Sequence, residues 1–325
     1  MSPRFFETGY AEPPIIIVAL SLLAILVCLL AQHAYPPAPR QPLMEFYGRM
    51  CLSAAKRLNA GDRNSGIVAW IAVVAAVMIP AALVTALAAA IHPLAVWLLD
   101  VAMLYGSLRF LATLASLRSI EKGLREGDTA GAANQLAQWQ GEPLESGDAG
   151  AIARLAAEHA LRESHHGTFA LLFWFLVLPG PLGIVLYPLA LRIAQGWEHV
   201  VESDERDFGW FAARAFAAID WIPQRVSAFT FALVGDFEDA LYCWRTQAAQ
   251  WLRPEEGIVL ASGAGALSVR LGEPIPVPGG FVPRPALGVG ELAGEDSLVS
   301  LEGLLWRALI LWAIVYALAA ALQLA

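Results

Sequence analysis

Charge is what this chain has least of. Only 15% of its 325 residues are Asp, Glu, Lys or Arg, against 58% hydrophobic ones. That balance excludes disorder and is too apolar for an ordinary soluble domain. A net charge of −8 leaves no surplus of Lys and Arg to neutralise phosphates, which excludes nucleic acid as a partner. Cysteine is scarce as well. Cys28, Cys51 and Cys243 have no metal-ligand spacing and read as buried apolar side chains. The familiar catalytic patterns are missing too: no HExxH, no GxGxxG or GxxxxGK[ST], and no identifiable Ser–His–Asp or Cys–His set.

What the chain does have is uncharged length. Residues 15–31 form an apolar run near the lower limit for a membrane helix. Arg4 and Glu7 give no basic leader, and Gln32-His33-Ala34-Tyr35-Pro36-Pro37 is no small-residue cleavage site, so the run reads as a retained helix. In 36–66, Leu43, Tyr47, Met50, Ala54 and Leu58 share one helix side, opposite Glu45, Arg49, Ser53 and Lys56. Such a helix lies either along a membrane surface or packed on the rest of the protein. Residues 67–91 are the clearest span, and 94–117 form another, carrying Asp100 and Arg109. A polar insert covers 118–163, with helices expected at 130–139 and 151–162 and a loop at 141–150. Residues 168–187 carry no charge but are interrupted by Pro179-Gly180-Pro181, which should break the helix at mid-depth. Residues 192–225 are amphipathic and rich in Trp and Phe, 254–296 read as loop, and 304–325 as a last span.

The expected fold is therefore all-α: a polytopic integral membrane protein with four to five membrane-embedded helical segments and polar helical inserts. Its divisions are N-terminal membrane helices (1–117), a polar insert (118–166), a re-entrant or kinked span with interfacial helices and loop (167–303), and a C-terminal membrane helix (304–325). The stretches between the first two spans and before the central run each hold five Lys plus Arg, which places them on the cytoplasmic side of a bacterial inner membrane. The lipid bilayer is one partner, and an oligomer is possible.

His159, His165 and His166 are the obvious metal candidates. Neighbouring histidines point to different sides of a helix, however, and Glu158 and Glu163 complete no zinc pattern, so no metal site is expected. The glycines of 263–272 suit close helix packing rather than a nucleotide cradle.

Four blocks in order give a resemblance. Ile91-His92-Pro93, followed by Leu124-Arg125-Glu126-Gly127-Asp128, resembles the IHP and LRxxD region of the CobD/CbiB family. That family comprises adenosylcobinamide-phosphate synthases of cobalamin biosynthesis and AmpE relatives linked to β-lactamase induction. Residues 156–174 resemble its AEN…DG…PLFW block, 213–226 its ARxDDxxNxxPARL block, and 265–272 its GALGVRLGG block. Departures accompany the matches. The paired acids fall at Phe216 and Ala217, the motif asparagine at Asp220, and the DG aspartate at His166 before Gly167. Residues 187–195 lack the acids and amides of YRAxNTLDS, and nothing near 36–40 matches the early HPVRW block.

The resemblance implies ligand-binding roles for Glu158, Glu163, His166, Arg214, Asp220, Arg225 and Arg270, with no catalytic residue named. With hard-cation acids replaced by Phe and Ala, the expected function is a non-catalytic AmpE-like membrane regulatory or binding protein, taking a corrinoid or protein partner. The alternative is the synthase, which joins aminopropanol phosphate to a corrinoid carboxylate; ATP and Mg²⁺ belong to that reading only.

Overall fold

Apolar runs without water must satisfy their backbone internally, and here they do so as helices. The computed structural model describes residues 14–35, 42–60, 62–141, 143–144, 148–199, 206–277 and 280–322. In chain order the helices are α1 (Pro14–Ala34), α2 (Pro42–Leu58), α3 (Arg63–Ile91), α4 (Pro93–Ser107), α5 (Phe110–Arg125), α6 (Thr129–Gln140) and α7 (Ala149–Ser164). After a π-turn at His165–Phe169 come α8 (Ala170–Val177), α9 (Leu182–His199), α10 (Arg206–Val234), α11 (Phe237–Gln247), α12 (Pro254–Ala266) and α13 (Glu295–Leu322). Five short strands intervene before α13: β1 (Val269–Leu271), β2 (Ile275–Val277), β3 (Gly280–Val282), β4 (Leu287–Gly288) and β5 (Glu291–Leu292). β1 pairs antiparallel with β4 and parallel with β5, while β2 and β3 form a separate antiparallel pair.

The fold is all-α in substance and that of a membrane protein. Among the described residues, three helical stretches are long and apolar enough to cross a bilayer: Arg63–Ile91, Pro93–Arg125 and Glu295–Leu322. Leu20–Ala34 and Leu182–Trp197 are apolar but shorter. α3 leaves Ile79, Leu83, Val84, Leu87 and Ile91 exposed, the face a lipid-contacting helix presents.

Several boundaries differ from the sequence expectation, each for a visible reason. The span expected at 94–117 breaks between α4 and α5, because the Arg109 N–H donates to Gly167 O at 2.9 Å instead of continuing the helix. Carbonyls orphaned at the end of α4 are met by the buried Gln32, whose Nε2 donates to Tyr105 O (3.0 Å) and Leu108 O (2.9 Å). The expected divisions at 117/118 and 303/304 fall inside α5 and α13, both of which run through them. Residues 254–266, read as loop, form α12. Pro254 begins it, and its glycines are used for contact: a Cβ on Gly263 would meet Leu161 at 2.6 Å, and on Gly265 the Asp239 carbonyl at 2.5 Å. Tertiary packing there outweighs a poor intrinsic helix propensity. The proline stretch 36–41, and residues 142 and 145–147 of the loop expected at 141–150, lie outside the described residues.

On α2 the buried seam is Tyr47, Cys51 and Ala55, a step away from the expected Tyr47, Met50, Ala54 and Leu58. It faces α9, where Trp197 Nε1 donates to Cys51 O at 3.0 Å. α2 is thus a packed helix with its cations outward.

The central uncharged run is a pair of packed helices, not a single rod. α8 stops at Val177, α9 starts at Leu182, and Gly180 between them adopts φ +59°. α9 can close on α8 because Gly183 lies on the Trp174 carbonyl, 2.1 Å from where a Cβ would stand. The Gly183→Ala variant should therefore lower the thermal midpoint in detergent, with a cost of about 1–3 kcal/mol for overpacking. Gly106→Ala, where a Cβ would meet nothing within 4 Å, is the control; equal midpoints for the two variants would contradict the close approach.

Candidate functional site

α7 does not end cleanly. Its last turn widens, so that the Ala170 N–H bonds back to His165 O across five residues. An α-helix turns about 100° per residue; a π-turn takes more residues per turn, and the angular step falls. Despite their adjacent positions, the His165 and His166 rings lie with centroids 4.7 Å apart across this turn. Gly167 supplies the room, since a Cβ there would press on Arg109 Cβ at 3.0 Å and Glu163 Oε1 at 3.2 Å.

Opposite the π-turn, α10 presents Asp220 and Ser227 two helical turns apart. His165 Nε2 lies 3.0 Å from Asp220 Oδ1 and 3.2 Å from Oδ2, and its Nδ1 lies 2.9 Å from Ser227 Oγ. Tyr187 of α9 donates its hydroxyl proton to Asp220 Oδ1 at 2.8 Å. That proton being spent, the 2.7 Å contact between His166 Nδ1 and the Tyr187 oxygen has the imidazole as donor. His166 is thus the Nδ1–H tautomer, with Nε2 as its acceptor. One connected network runs Ser227–His165–Asp220–Tyr187–His166.

The network is largely withdrawn from water: His165 is 2% exposed and Asp220 3%. Burial followed by the neighbouring His165 pushes His166 down to about 3. For Asp220, burial works to raise the carboxyl. The charge and hydrogen bond of His165, then His166 and Tyr187, outweigh it and hold Asp220 below the ordinary carboxylate value.

These groups form one wall of a cavity of about 510 Å³. His165, His166, Asp220, Phe216 and Ala217 lie on it together with Trp197, Trp210, Arg162, Arg253 and Glu256. Glu256 sits between two guanidiniums, 3.6 Å from Arg162 Nη1 and 3.2 Å from Arg253 Nη1. A cavity with apolar walls and a few convergent polar groups is the usual form of a small-molecule site.

Of the seven residues singled out in the sequence, two are on this wall, His166 and Asp220. Glu158 is buried elsewhere: it accepts from the Gly272 N–H at 2.9 Å and pairs with Arg284, tying α7 to the end of β1. Gly272 has φ +75° and a backbone approach to Pro285 that a side chain would block. Glu163 pairs with Arg109 at 2.6 Å and braces the α4–α5 break. Arg214 is exposed beside Trp210, Arg225 stacks on Trp221 and donates to its carbonyl at 2.7 Å, and Arg270 pairs loosely with Glu273. These five hold the frame or lie on the surface. His165 enters the sequence reading only as a metal candidate that is set aside, and Tyr187, Ser227, Arg162 and Glu256 do not enter it as site residues. Tyr187 and Ser227 are ordinary helix residues until the packing is known, and no spacing marks them.

Comparison with known proteins fits this geometry. The family model described as "CobD/Cbib protein" matches residues 22–300. The chain belongs to the CobD/CbiB family. A "Cobalamin biosynthesis protein CobD" from Stutzerimonas stutzeri is 32% identical over 86% of this chain and 91% of its own length. Another from Chromobacterium violaceum is 35% identical over 68% of this chain and 70% of its own. A "Probable cobalamin biosynthesis protein CobD" from Methanothermobacter thermautotrophicus is 26% identical over 79% and 84%. No solved structure matches.

Mg²⁺ takes a near-octahedral oxygen shell. Among the described residues on the cavity wall, the carboxylates are Asp220, held by His165 and Tyr187, and Glu256, held by Arg162 and Arg253. Phe216 and Ala217 stand beside them. In this CobD/CbiB member the wall does not fit a resident Mg²⁺.

The two depressed values fix a pH dependence. Between the ordinary histidine value of about 6.5 and a folded value of about 3, the unfolded chain binds the His166 proton that the folded chain refuses, so stability falls as pH falls through that window. Asp220 adds a loss of the same sign below the ordinary carboxylate range. Thermal midpoints in detergent should decline from pH 7 to pH 4, and His166→Gln should flatten part of the decline. An unchanged slope in that variant would contradict a neutral, half-buried His166.

Proposed function

We propose that this chain works in cobalamin biosynthesis as an amide-forming enzyme of the adenosylcobinamide-phosphate synthase kind, seated in the bacterial inner membrane. The supporting observation is convergence. The block around 156–174 and the block around 213–226 are far apart in sequence, and they meet at one cavity through His165, His166 and Asp220. The block around 265–272 is bonded to the first through Gly272 and Glu158. Burying the Asp220 carboxylate costs several kcal/mol unless close hydrogen bonds offset it. Shifted, hydrogen-bonded groups on a cavity wall are the pattern of chemistry rather than of a passive scaffold. The names of the relatives point the same way; each is given for cobalamin biosynthesis. Neither observation favours the expected AmpE-like regulatory role.

In this reading the cavity admits a small phosphorylated amine and the carboxylate-bearing arm of a corrinoid, and the macrocycle stays outside. Arg162 and Arg253 supply positive charge for the phosphate or the carboxylate. His166 Nε2 is an acceptor able to bind and orient an N–H of the amine substrate, and Tyr187 and Asp220 hold that ring in its tautomer.

Expression in a bacterial host that lacks its own synthase gene tests the proposal. The wild-type chain should restore growth that depends on de novo cobalamin. His166→Ala and Asp220→Ala, at equal abundance in the membrane, should lower product formation by about 100-fold or more. The proposal is wrong if the wild type fails where the Stutzerimonas stutzeri relative succeeds, or if both variants restore growth fully.

A further inference from the structure

The same cluster has the form of a transition-metal site. One donor atom each from His165, His166 and Asp220 lies within 4.8 Å of the other two. Both imidazoles have a nitrogen held by a hydroxyl, His165 Nδ1 by Ser227 at 2.9 Å and His166 Nδ1 by Tyr187 at 2.7 Å. Fixing a ligand histidine through its other nitrogen is how proteins orient imidazoles towards an ion. The site is buried on the α7 and α10 side, with His165 and Asp220 almost fully covered, yet it borders a cavity of about 510 Å³. Three protein ligands with an open fourth position is the arrangement of catalytic rather than structural zinc.

Donor chemistry selects the class of ion. Two imidazoles and one carboxylate suit Zn²⁺ and its borderline neighbours, whereas Mg²⁺ and Ca²⁺ call for oxygen. The rest of the wall offers no such oxygen shell: Glu256 is neutralised by two arginines, and Phe216 and Ala217 are apolar.

We propose that His165, His166 and Asp220 form a binding site for a divalent ion of the zinc class, open to the cavity. In the ion-free protein the N–H of His165 Nε2 faces Asp220; on binding, that proton passes to Nδ1, facing Ser227 Oγ, and the ion bonds to the freed Nε2 lone pair and the carboxylate oxygen. The open position takes water or an anionic group of a ligand. This inference does not rest on the amide-forming reading, because its test requires no turnover.

The test uses tag-free, chelator-treated protein in detergent, titrated calorimetrically with Zn²⁺ and, separately, with Mg²⁺. The expected result is one Zn²⁺ per chain, and no displacement by excess Mg²⁺. His166→Gln should abolish or strongly weaken binding, and Ser227→Ala should weaken it about 10–100-fold as an orienting partner is lost. Circular dichroism confirms that each variant is folded, and since neither variant alters the His165–Asp220 pair, both remain testable if substitutions there prevent folding. Three outcomes overturn the proposal: no saturable Zn²⁺ binding, binding of equal strength in folded His166→Gln, or replacement of Zn²⁺ by Mg²⁺.

Discussion

The buried pair between His165 and Asp220 is the contact on which the cavity depends. It joins two segments 55 positions apart, through side chains that are 2% and 3% exposed. Such a pair contributes little net stability, but removing one partner leaves an uncompensated charge and costs about 3–5 kcal/mol. Its consequence is geometric. It fixes the distance of α10 from the π-turn, and with it the placing of Tyr187, Ser227 and His166. With the Ser227 contact to His165 Nδ1, it fixes the register of α10 against the end of α7.

Two apolar clusters flank this polar seam. One gathers α2, α3, α9 and the start of α10 around Tyr47, Ala69, Leu189, Trp197 and Phe208. The larger one runs from Ala24 and Phe110 through Phe169, Phe231 and Leu260 to Trp312 and Tyr316. Trp197 from the first and Val259 from the second both line the cavity. The cavity thus sits where two cores meet, and only the connected hydrogen bonds make that boundary affordable for buried polar groups.

Helices and membrane class were legible in the sequence because long uncharged runs have few other ways to satisfy a backbone. The Pro-Gly-Pro break was legible for the same reason, and α8 ends at Val177 as proline chemistry requires. The break at Leu108 and Arg109 was not, because its cause is a hydrogen bond to Gly167, a residue distant in sequence. α12 was hidden by glycines that look like loop residues until Leu161, Ala240 and Ala248 are seen filling the space they leave. In the site, His166 and Asp220 stood out through the family blocks. The angular argument that separated His165 from His166 assumed a regular α-helix, and the π-turn removes that premise. Glu158, Arg225 and Arg270 fell in matching blocks but brace the frame, since a motif position records neither burial nor direction.

The acids missing at 216 and 217 suggested a non-catalytic regulatory or binding protein. The polar groups of the cavity wall come from other positions, with the imidazoles of His165 and His166 beside the Asp220 carboxylate. The central claim is that His165 and Asp220 act as one unit. A double-mutant cycle on His165→Asn and Asp220→Asn, read by thermal unfolding in detergent, tests it most directly. Each single change should be strongly destabilising, and the double variant should cost about 1–3 kcal/mol less than the sum of the two singles. Additive costs would show two independent buried groups and contradict the claim.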